Sequence, residues 1–286
     1  MSISQNKKVS VVVPNYNYGK YLRKRIESII KQTYPIYELI VMDDASTDGS
    51  DVIAKNLVLD LKIKNPEMNV RFVGNKENSG KSIAQWKRAF AEAKGDYVWI
   101  AEADDLSSRK FLEEAMKGFD DPKVVLSYTE SMIINGAGLI MAPNFRWSRD
   151  KEKTGHYARS YKKNGDDEIR EIMAIRCTIP NVSGVVFRND KKYMDYLDAA
   201  MVYSQVGDWY FYLRVLENGK ISYSKKSLNK YRVHRESVTG KNRNGQTHLE
   251  EICKIHEMIN EKYKLSTDVK RYMIMEEERL KGRMEK

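Results

Sequence analysis

Gly95-Asp-Tyr-Val-Trp-Ile-Ala-Glu-Ala-Asp-Asp105 is the stretch from which the fold is read. Tyr97 to Ala101 is apolar or aromatic throughout and reads as a buried strand. Three acids follow within four positions: Glu102, Asp104 and Asp105. The strand would carry the chain through a core and release carboxylates at its carboxyl end. In open α/β sheets that edge is where ligands bind. Several like charges held together there need a cation or hydrogen-bond donors to compensate them. The first reading is therefore a divalent metal with oxygen ligands.

Working outward, the same arrangement recurs upstream. Lys8 to Val13 is a β-branched run that breaks into turn chemistry at Pro14-Asn-Tyr-Asn-Tyr-Gly19. Leu22, Ile26, Ile29 and Ile30 have helical spacing over 21–32. A second strand, Tyr37 to Met42, again ends in acids, Asp43-Asp44-Ala-Ser-Thr-Asp-Gly-Ser50. A helix over 50–64, a strand over 70–73, a polar loop over 75–82 and a helix over 83–93 complete a β-α-β-α-β-α-β series. Such alternation predicts a mostly parallel sheet with right-handed crossovers, its carboxyl ends on one edge. Asp43 and Asp44 then lie on the same side as Glu102, Asp104 and Asp105.

Downstream the rhythm changes. The pattern predicts a helix from Ser107 or Ser108 to Phe119, a strand over 124–129 and a hairpin over 132–141 around Asn135-Gly-Ala-Gly138. A long basic loop over 143–165 precedes a helix over 166–176 and a strand over 182–187. A helix over 208–217 opens with Asp208, where the helix dipole favours an acid. Short strands over 221–224 and 228–233 follow, then charge-balanced helices over 247–263 and 267–283 that pack on the domain or on a partner. The expected domains are 1–240, made of a Rossmann-like half (1–105) and a second half (106–240), plus a helical extension over 241–286.

The composition is that of a globular protein: 286 residues, 41% hydrophobic, 31% charged, net charge +10. No run approaches the roughly 20 apolar residues of a membrane span. The first eight residues lack the apolar core of a signal peptide. Cys177 and Cys253 form neither a disulfide framework nor a metal spacing. A cytoplasmic location is expected. The positive charge is uneven: residues 140–165 hold seven Lys/Arg against two acids, and residues 220–243 hold eight against one. Such loops attract phosphates, anionic glycans or anionic lipid, so peripheral contact with the inner face of a plasma membrane is a further expectation.

Val9-Ser-Val-Val-Val-Pro-Asn-Tyr-Asn17, the Asp43 to Ser50 block, Gly95-Asp-Tyr97 and the acidic triplet, taken in order, resemble the family 2 glycosyltransferases. These have the GT-A fold and transfer a sugar from a nucleotide diphosphate with inversion. The likeness runs from about residue 8 to about residue 238. It implies that Pro14, Asn15 and Tyr16 border the nucleoside and that Asp44 accepts a hydrogen bond from the base, supported by Asp43. Glu102-Ala103-Asp104 stands where the family has Asp-X-Asp, so Asp104 is implied to hold a divalent cation, Mn²⁺ or Mg²⁺, on the donor diphosphate. Glu102 and His234 are further candidate ligands. Glu102 departs from the usual Asp by one methylene.

In the second half, Gly207-Asp208-Trp209 matches the segment carrying the family's catalytic base, which makes Asp208 the base. Tyr231-Arg-Val-His-Arg-Glu-Ser237 matches a basic segment, so Arg232, His234 or Arg235 would contact the diphosphate. Trp209 and Asp105 are candidate acceptor contacts. A second departure is Ala84-Gln85-Trp86, where many members have Ala-Arg-Asn; no arginine contact is carried over. The implied donor is a UDP-sugar and the acceptor a saccharide or lipid-linked saccharide, with no nucleic acid. The C-terminal helices offer a surface for homo-oligomers.

Two other functions compete. A sugar nucleotidyltransferase wants a Gly-rich, Arg-bearing loop after the first strand, and Pro14 to Gly19 has one Gly and no Arg. A basic, non-enzymatic module binding nucleic acid or an anionic membrane would use the two basic segments, and does not explain acids at two strand ends. The bland alternatives are turn and capping roles for Asp43, Asp44, Glu102 and Asp208. Asn78-Ser-Gly-Lys-Ser82 lacks the glycine spacing of a phosphate loop.

Overall fold

The computed structural model describes residues 7–149, 155–234 and 245–284. The expected alternation is present as β1 (Val9–Asn15), α1 (Gly19–Ile30), β2 (Glu38–Asp43), α2 (Ser50–Lys64), β3 (Val70–Gly74), α3 (Ser82–Glu92) and β4 (Tyr97–Ile100). The chain continues through β5 (Leu106–Ser107), α4 (Phe111–Met116), β6 (Val124–Ile134), β7 (Ile140–Ala142), α5 (Arg146–Arg149), β8 (Tyr161–Asn164) and α6 (Gly165–Glu168). It closes with β9 (Val185–Arg188), α7 (Tyr193–Ala200), α8 (Gly207–Leu216), β10 (Lys220–Arg232), α9 (Gln246–Lys262) and α10 (Thr267–Met284).

These strands form one sheet in the order β3-β2-β1-β4-β9-β6-β10-β5, with β7 added beside β6 and β8 beside β10. β3, β2, β1 and β4 are mutually parallel, as the alternation requires. The sheet is mixed beyond them. β9 runs antiparallel to both β4 and β6, while β10 is parallel to β6. One edge therefore collects the carboxyl ends of β1, β2, β4, β6 and β10, together with the amino end of β9.

The inner parallel strands β1, β2 and β4 are buried along their length, which is why they read as continuous apolar runs, while the edge strand β3 is only partly buried. Alternate residues enter different cores. Val9, Val11, Val13, Leu39, Val41, Tyr97 and Trp99 pack with α1, α2 and α4 on one face. Val12, Ile40, Met42, Val98 and Ile100 pack with α3, α7 and α8 on the other. Leu249, Ile252, Ile255, Ile259, Val269, Met273 and Leu280 of the last two helices join that second core. Their apolar stripes are covered by the chain itself, which accounts for them without a partner copy.

Several local expectations are corrected. The loop expected over 143–165 contains α5 and β8, and β8 pairs antiparallel with β10, Lys220 opposite Asn164. The two short strands expected over 221–233 are one strand interrupted by register shifts between Ser224 and Asn229. Residues 182–184 form a helical turn before β9 rather than its first half. β5 and α7 had no periodic signal strong enough to find them, being two and eight residues long.

The tightest close approach in the fold is at a glycine. A Cβ on Gly165 would overlap the Leu216 carbonyl oxygen at the end of α8, and the Gly165 N–H already donates to Gly219 O at 2.7 Å. Backbone cannot yield as a side-chain tip does. Gly165→Ala is expected to cost about 3 kcal/mol, lowering Tm by roughly 6–10 °C for a domain of this size. A melting scan that matches the parent would contradict the packing of α6 against α8.

Candidate active site

A cleft of about 440 Å³ opens at the edge where the strand ends collect. Pro14, Asn15 and Tyr16 reach it from β1, Asp44 from β2, Glu102, Asp104 and Asp105 from β4, and Tyr231 and Arg232 from β10. Gly207 and Asp208 enter from the start of α8, and Trp86, Gln85 and Ile83 from α3. Residues separated by up to about 220 positions thus share one wall system because parallel strands end on the same side.

The β1 and β2 ends are tied together. Asn15 lies opposite Asp43 in the register, and its Nδ2 donates to Asp43 Oδ1 at 2.7 Å and Ser50 Oγ at 2.8 Å. Asp43 also accepts from the Ser46 N–H at 2.9 Å, an Asx-type turn. Two non-glycine residues, Asn17 and Ala45, hold φ near +58° in these two loops. Such left-handed backbone is unfavourable for Ala and concentrates where a site fixes loop shape. Asp43, buried at 2% exposure, is a scaffold behind the cleft rather than one of its walls.

Asp44 faces the cleft but is already supplied with donors. Its carboxylate accepts from the Ser79 N–H at 3.0 Å, Ser79 Oγ at 2.7 Å, Asn78 Nδ2 at 3.2 Å and Asn75 Nδ2. The polar loop over 75–82 is thereby folded against Asp44. Sequence reading did not find this partner, although a run of Asn, Ser and Gly beside a strand-end acid is the composition such a contact uses.

The acidic triplet has three different environments. Asp104 Oδ2 lies 2.9 Å from His234 Nε2, and its carbonyl oxygen accepts from Arg232 Nε. His234 is held between the Tyr18 and Tyr21 rings, both 5.4 Å away. Glu102 Oε1 accepts from the Trp86 indole N–H at 2.9 Å. Burial and the neighbouring Asp104 and Asp105 push the Glu102 carboxyl up to about 8. Asp105 accepts from the Arg232 N–H at 2.8 Å and from Asn181 Nδ2. Burial and Asp104 push its carboxyl up to about 7, against the pull of Arg25.

Arg25 is the residue the sequence reading missed. It lies on the apolar face of α1, between Leu22 and Ile26, fully buried beneath the triplet. Its Nε donates to Ala101 O at 3.3 Å and its Nη1 to Ser107 Oγ at 2.8 Å. Burial lowers its pKa to about 10 even though three carboxylates surround it. An arginine interrupting an apolar stripe three residues after Leu22 was the available signal.

Two assignments are corrected by burial. Trp209 is 2% exposed and its indole N–H donates to Met173 O at 3.0 Å, so it is a core residue and no platform for an acceptor sugar. Ala103 is wholly buried among apolar neighbours and does not line the cleft. Asp105 is 2% exposed, with its oxygens given to Arg232 and Asn181. It anchors β10 while still lining the cleft. Asp208 does face the cleft, and its Oδ1 accepts from the Trp209 N–H at 2.8 Å. Arg235, Glu236 and Ser237 lie outside the described residues.

Among the described residues no three His, Cys, Asp or Glu side chains converge closely enough to hold a metal ion. Asp104 and His234 offer two donors in contact. That set fits a dication whose remaining sites go to diphosphate oxygens and water, the usual mode for Mg²⁺-like ions. Burial and the neighbouring carboxylates thus push the Glu102 and Asp105 carboxyls up although Arg25 opposes the shift. No described helix is long and apolar enough to cross a membrane.

Residues 10–179 match the model of the family described as Glycosyl transferase family 2. The glycosyltransferase GlyG of Streptococcus pneumoniae is 37% identical over 105 residues, covering 37% of this chain and 33% of that protein. The putative teichuronic acid biosynthesis glycosyltransferase TuaG of Bacillus subtilis is 31% identical over 122 residues, covering 42% and 45%. The matches thus span a third to under half the length of those relatives. The structure of Staphylococcus aureus TarS 1–349 in complex with UDP-GlcNAc superposes with a TM-score of 0.63 at 19% identity, over 93% of this chain and 70% of that one. A mannosyltransferase from Pyrobaculum calidifontis, in complex with GDP-Man and Mn²⁺, gives 0.61 at 18% identity over 97% and 70%. These two fix the architecture as GT-A. With a family model matched over more than half its length, the chain belongs to glycosyl transferase family 2.

Proposed function

We propose that the chain is an inverting glycosyltransferase. It moves a sugar from a nucleotide-diphosphate sugar, a UDP-sugar, to a hydroxyl of a glycan or lipid-linked saccharide. The observation that carries this reading is the shared cleft: Asp44, Asp104, Arg232 and Asp208 face one space from four different elements. Complexes of TarS with UDP-GlcNAc support the choice of UDP. The bacterial cell-envelope enzymes among the relatives, TuaG included, support a surface-glycan acceptor.

In this reading the nucleoside lies between Tyr16 and the Asp44 loop. Arg232 sits at the diphosphate end, its Nη1 fixed on Asn135 O and Gly136 O at 2.9 and 3.0 Å. Asp104 and His234 would hold Mn²⁺ or Mg²⁺, which when bound supplies Lewis-acid stabilisation of the departing diphosphate. Asp208 takes the acceptor hydroxyl proton as that oxygen attacks the anomeric carbon. The new C–O bond forms opposite the breaking bond to phosphate, so the anomeric configuration inverts. The domain boundaries near 105 and 240 follow the same division between donor and acceptor halves. Leu139, Ile140 and Met141, each more than 60% exposed at the β6–β7 turn, support a peripheral lipid contact next to the cleft.

The test is a thermal-shift series with UDP-, GDP- and dTDP-sugars, each with Mn²⁺, Mg²⁺ or chelator. A UDP-sugar with metal is expected to raise Tm by several degrees, since a ligand at 100 times its Kd adds about 2.7 kcal/mol. No shift with any nucleotide sugar in the series, and none with free UDP, rejects the reading.

A further inference from the structure

The start of α8 is held by a side chain from the C-terminal helices. Glu251 of α9 is 6% exposed. Its Oε1 accepts from the Ser204 N–H at 2.7 Å and from Ser204 Oγ at 2.8 Å. Its Oε2 accepts from the Gln205 N–H at 2.9 Å and the Val206 N–H at 3.2 Å. Val206 is the residue from which α8 begins, and it brings no side-chain cap of its own. Three successive backbone N–H groups and a hydroxyl thus converge on one carboxylate that is more than 40 positions away in sequence.

A carboxylate at a helix amino end is favoured by the orphan N–H groups and by the dipole. These donors also hold the Glu251 carboxyl below its ordinary range. The segment it grips leads straight into the site: Ser204, Gln205, Gly207 and Asp208 all line the cleft. Gly207 adds a second restraint, because a Cβ there would meet Ala200 O at 2.9 Å and Ile83 Cγ1 at 3.1 Å. The backbone on either side of Val206 is therefore fixed, by a carboxylate before it and by packing after it.

We infer that Glu251 is a positioning residue for the Asp208 carboxylate, so that the C-terminal helices are part of the catalytic apparatus. The inference rests on the reading of Asp208 as the base. It follows from geometry: Asp208 is two residues beyond the last N–H that Glu251 accepts. A displacement on the order of 1 Å at a reacting group costs about 100-fold. Glutamine cannot replace this carboxylate, since its amide would turn NH₂ toward two N–H donors.

The probe is release of UDP from UDP-N-acetylglucosamine in the presence of Mn²⁺, the sugar passing to water, with UDP affinity measured separately. Glu251→Gln is expected to lower kcat about 10- to 100-fold, with UDP affinity changed less than twofold. Glu251→Asp, which keeps the charge and is one methylene shorter, is expected to recover part of the loss. Ile259→Val, in the buried face of the same helix, loosens α9 without touching residues 204–206 and sets the baseline for lost stability. In the double variant Asp208→Asn/Glu251→Gln, the second change is expected to add nothing.

The inference is overturned if Glu251→Gln loses no more kcat than Ile259→Val, or if the two losses multiply in the double variant. If Glu251→Gln does not fold, a Glu251→Asp protein with unchanged kcat overturns it equally. Unimpaired kcat in Asp208→Asn alone would instead reject the base assignment, which separates the two failures.

Discussion

Asp208→Asn is expected to reduce UDP release from a UDP-sugar by about 10²–10⁴-fold, the range a positioned base contributes, while UDP affinity changes less than about twofold. The substitution keeps size and removes the proton-accepting charge. Asp208 Oδ1 accepts the Trp209 N–H at 2.8 Å, and an asparagine carbonyl oxygen can accept the same bond, so α8 should still begin at Gly207. The donor-side residues, Asp44, Asp104 and Arg232, come from strand ends and not from α8. Their geometry is therefore independent of the change. A kcat loss with retained UDP binding identifies a group used in the transition state and not in the ground state. If UDP affinity collapses together with kcat, Asp208 is a donor-binding residue and the base must be sought elsewhere in the cleft.

How much of this was legible in the sequence depended on whether the information was local. The parallel half of the sheet was readable because strands buried on both faces are continuous apolar runs, as Val9 to Val13 and Tyr97 to Ala101 are. The acids at their carboxyl ends were readable because topology alone sends those ends to one edge. The cleft residues Asp44 and Asp104 could be named for that reason, whereas Asp208, at the start of a helix, was named only through the likeness of Gly207-Asp208-Trp209 to the family's segment. What was not legible is the partner of each acid. Arg25 under the triplet, Ser79 on Asp44, Trp86 on Glu102 and Glu251 at the start of α8 are all contacts between distant segments. No periodicity or local spacing encodes them. Trp209 was misassigned for the same reason: its position beside Asp208 says nothing of which way the indole turns, and it turns into the core.

The two departures from the family pattern turn out to be one. Glu102 stands for the usual first Asp of the motif and Trp86 for the usual Asn of the upstream triplet, and they touch through the Trp86 indole N–H, 2.9 Å from Glu102 Oε1. The longer side chain at 102 reaches away from Asp104 toward α3, where the indole supplies a donor. This arrangement leaves Asp104, paired with His234, facing the cleft. It also explains how Glu102 tolerates its place, since the hydrogen bond opposes the burial and like charge that push its carboxyl up.

Asp104→Asn is expected to have the opposite effects on activity and on stability. Asp104 is the member of the triplet that raises both others, being a cause of the upward shift at Glu102 and at Asp105. Its only described compensation within reach is His234 Nε2 at 2.9 Å and the buried Arg25. Removing that charge relieves its repulsion of Glu102 and Asp105, which Arg25 only partly offsets. The metal-free, donor-free variant should therefore melt no lower than the parent at pH 8. Catalysis should fall nonetheless. Losing the carboxylate that would anchor the dication forfeits several kcal/mol of charge stabilisation on the diphosphate, which at ~4 kcal/mol is about 10³-fold in rate. Added Mn²⁺ should raise the Tm of the parent with UDP and leave that of Asp104→Asn almost unmoved. A variant that melts several degrees lower without ligands would show that Asp104 serves the fold through His234 and Arg232. One that releases UDP at the parental rate would remove Asp104 from the leaving-group machinery altogether. The expected pairing of a steadier apo protein with a slower enzyme is the signature of a charge kept for a ligand, because like charges gathered at a strand end destabilise an empty cleft unless a bound cation or donor groups compensate them.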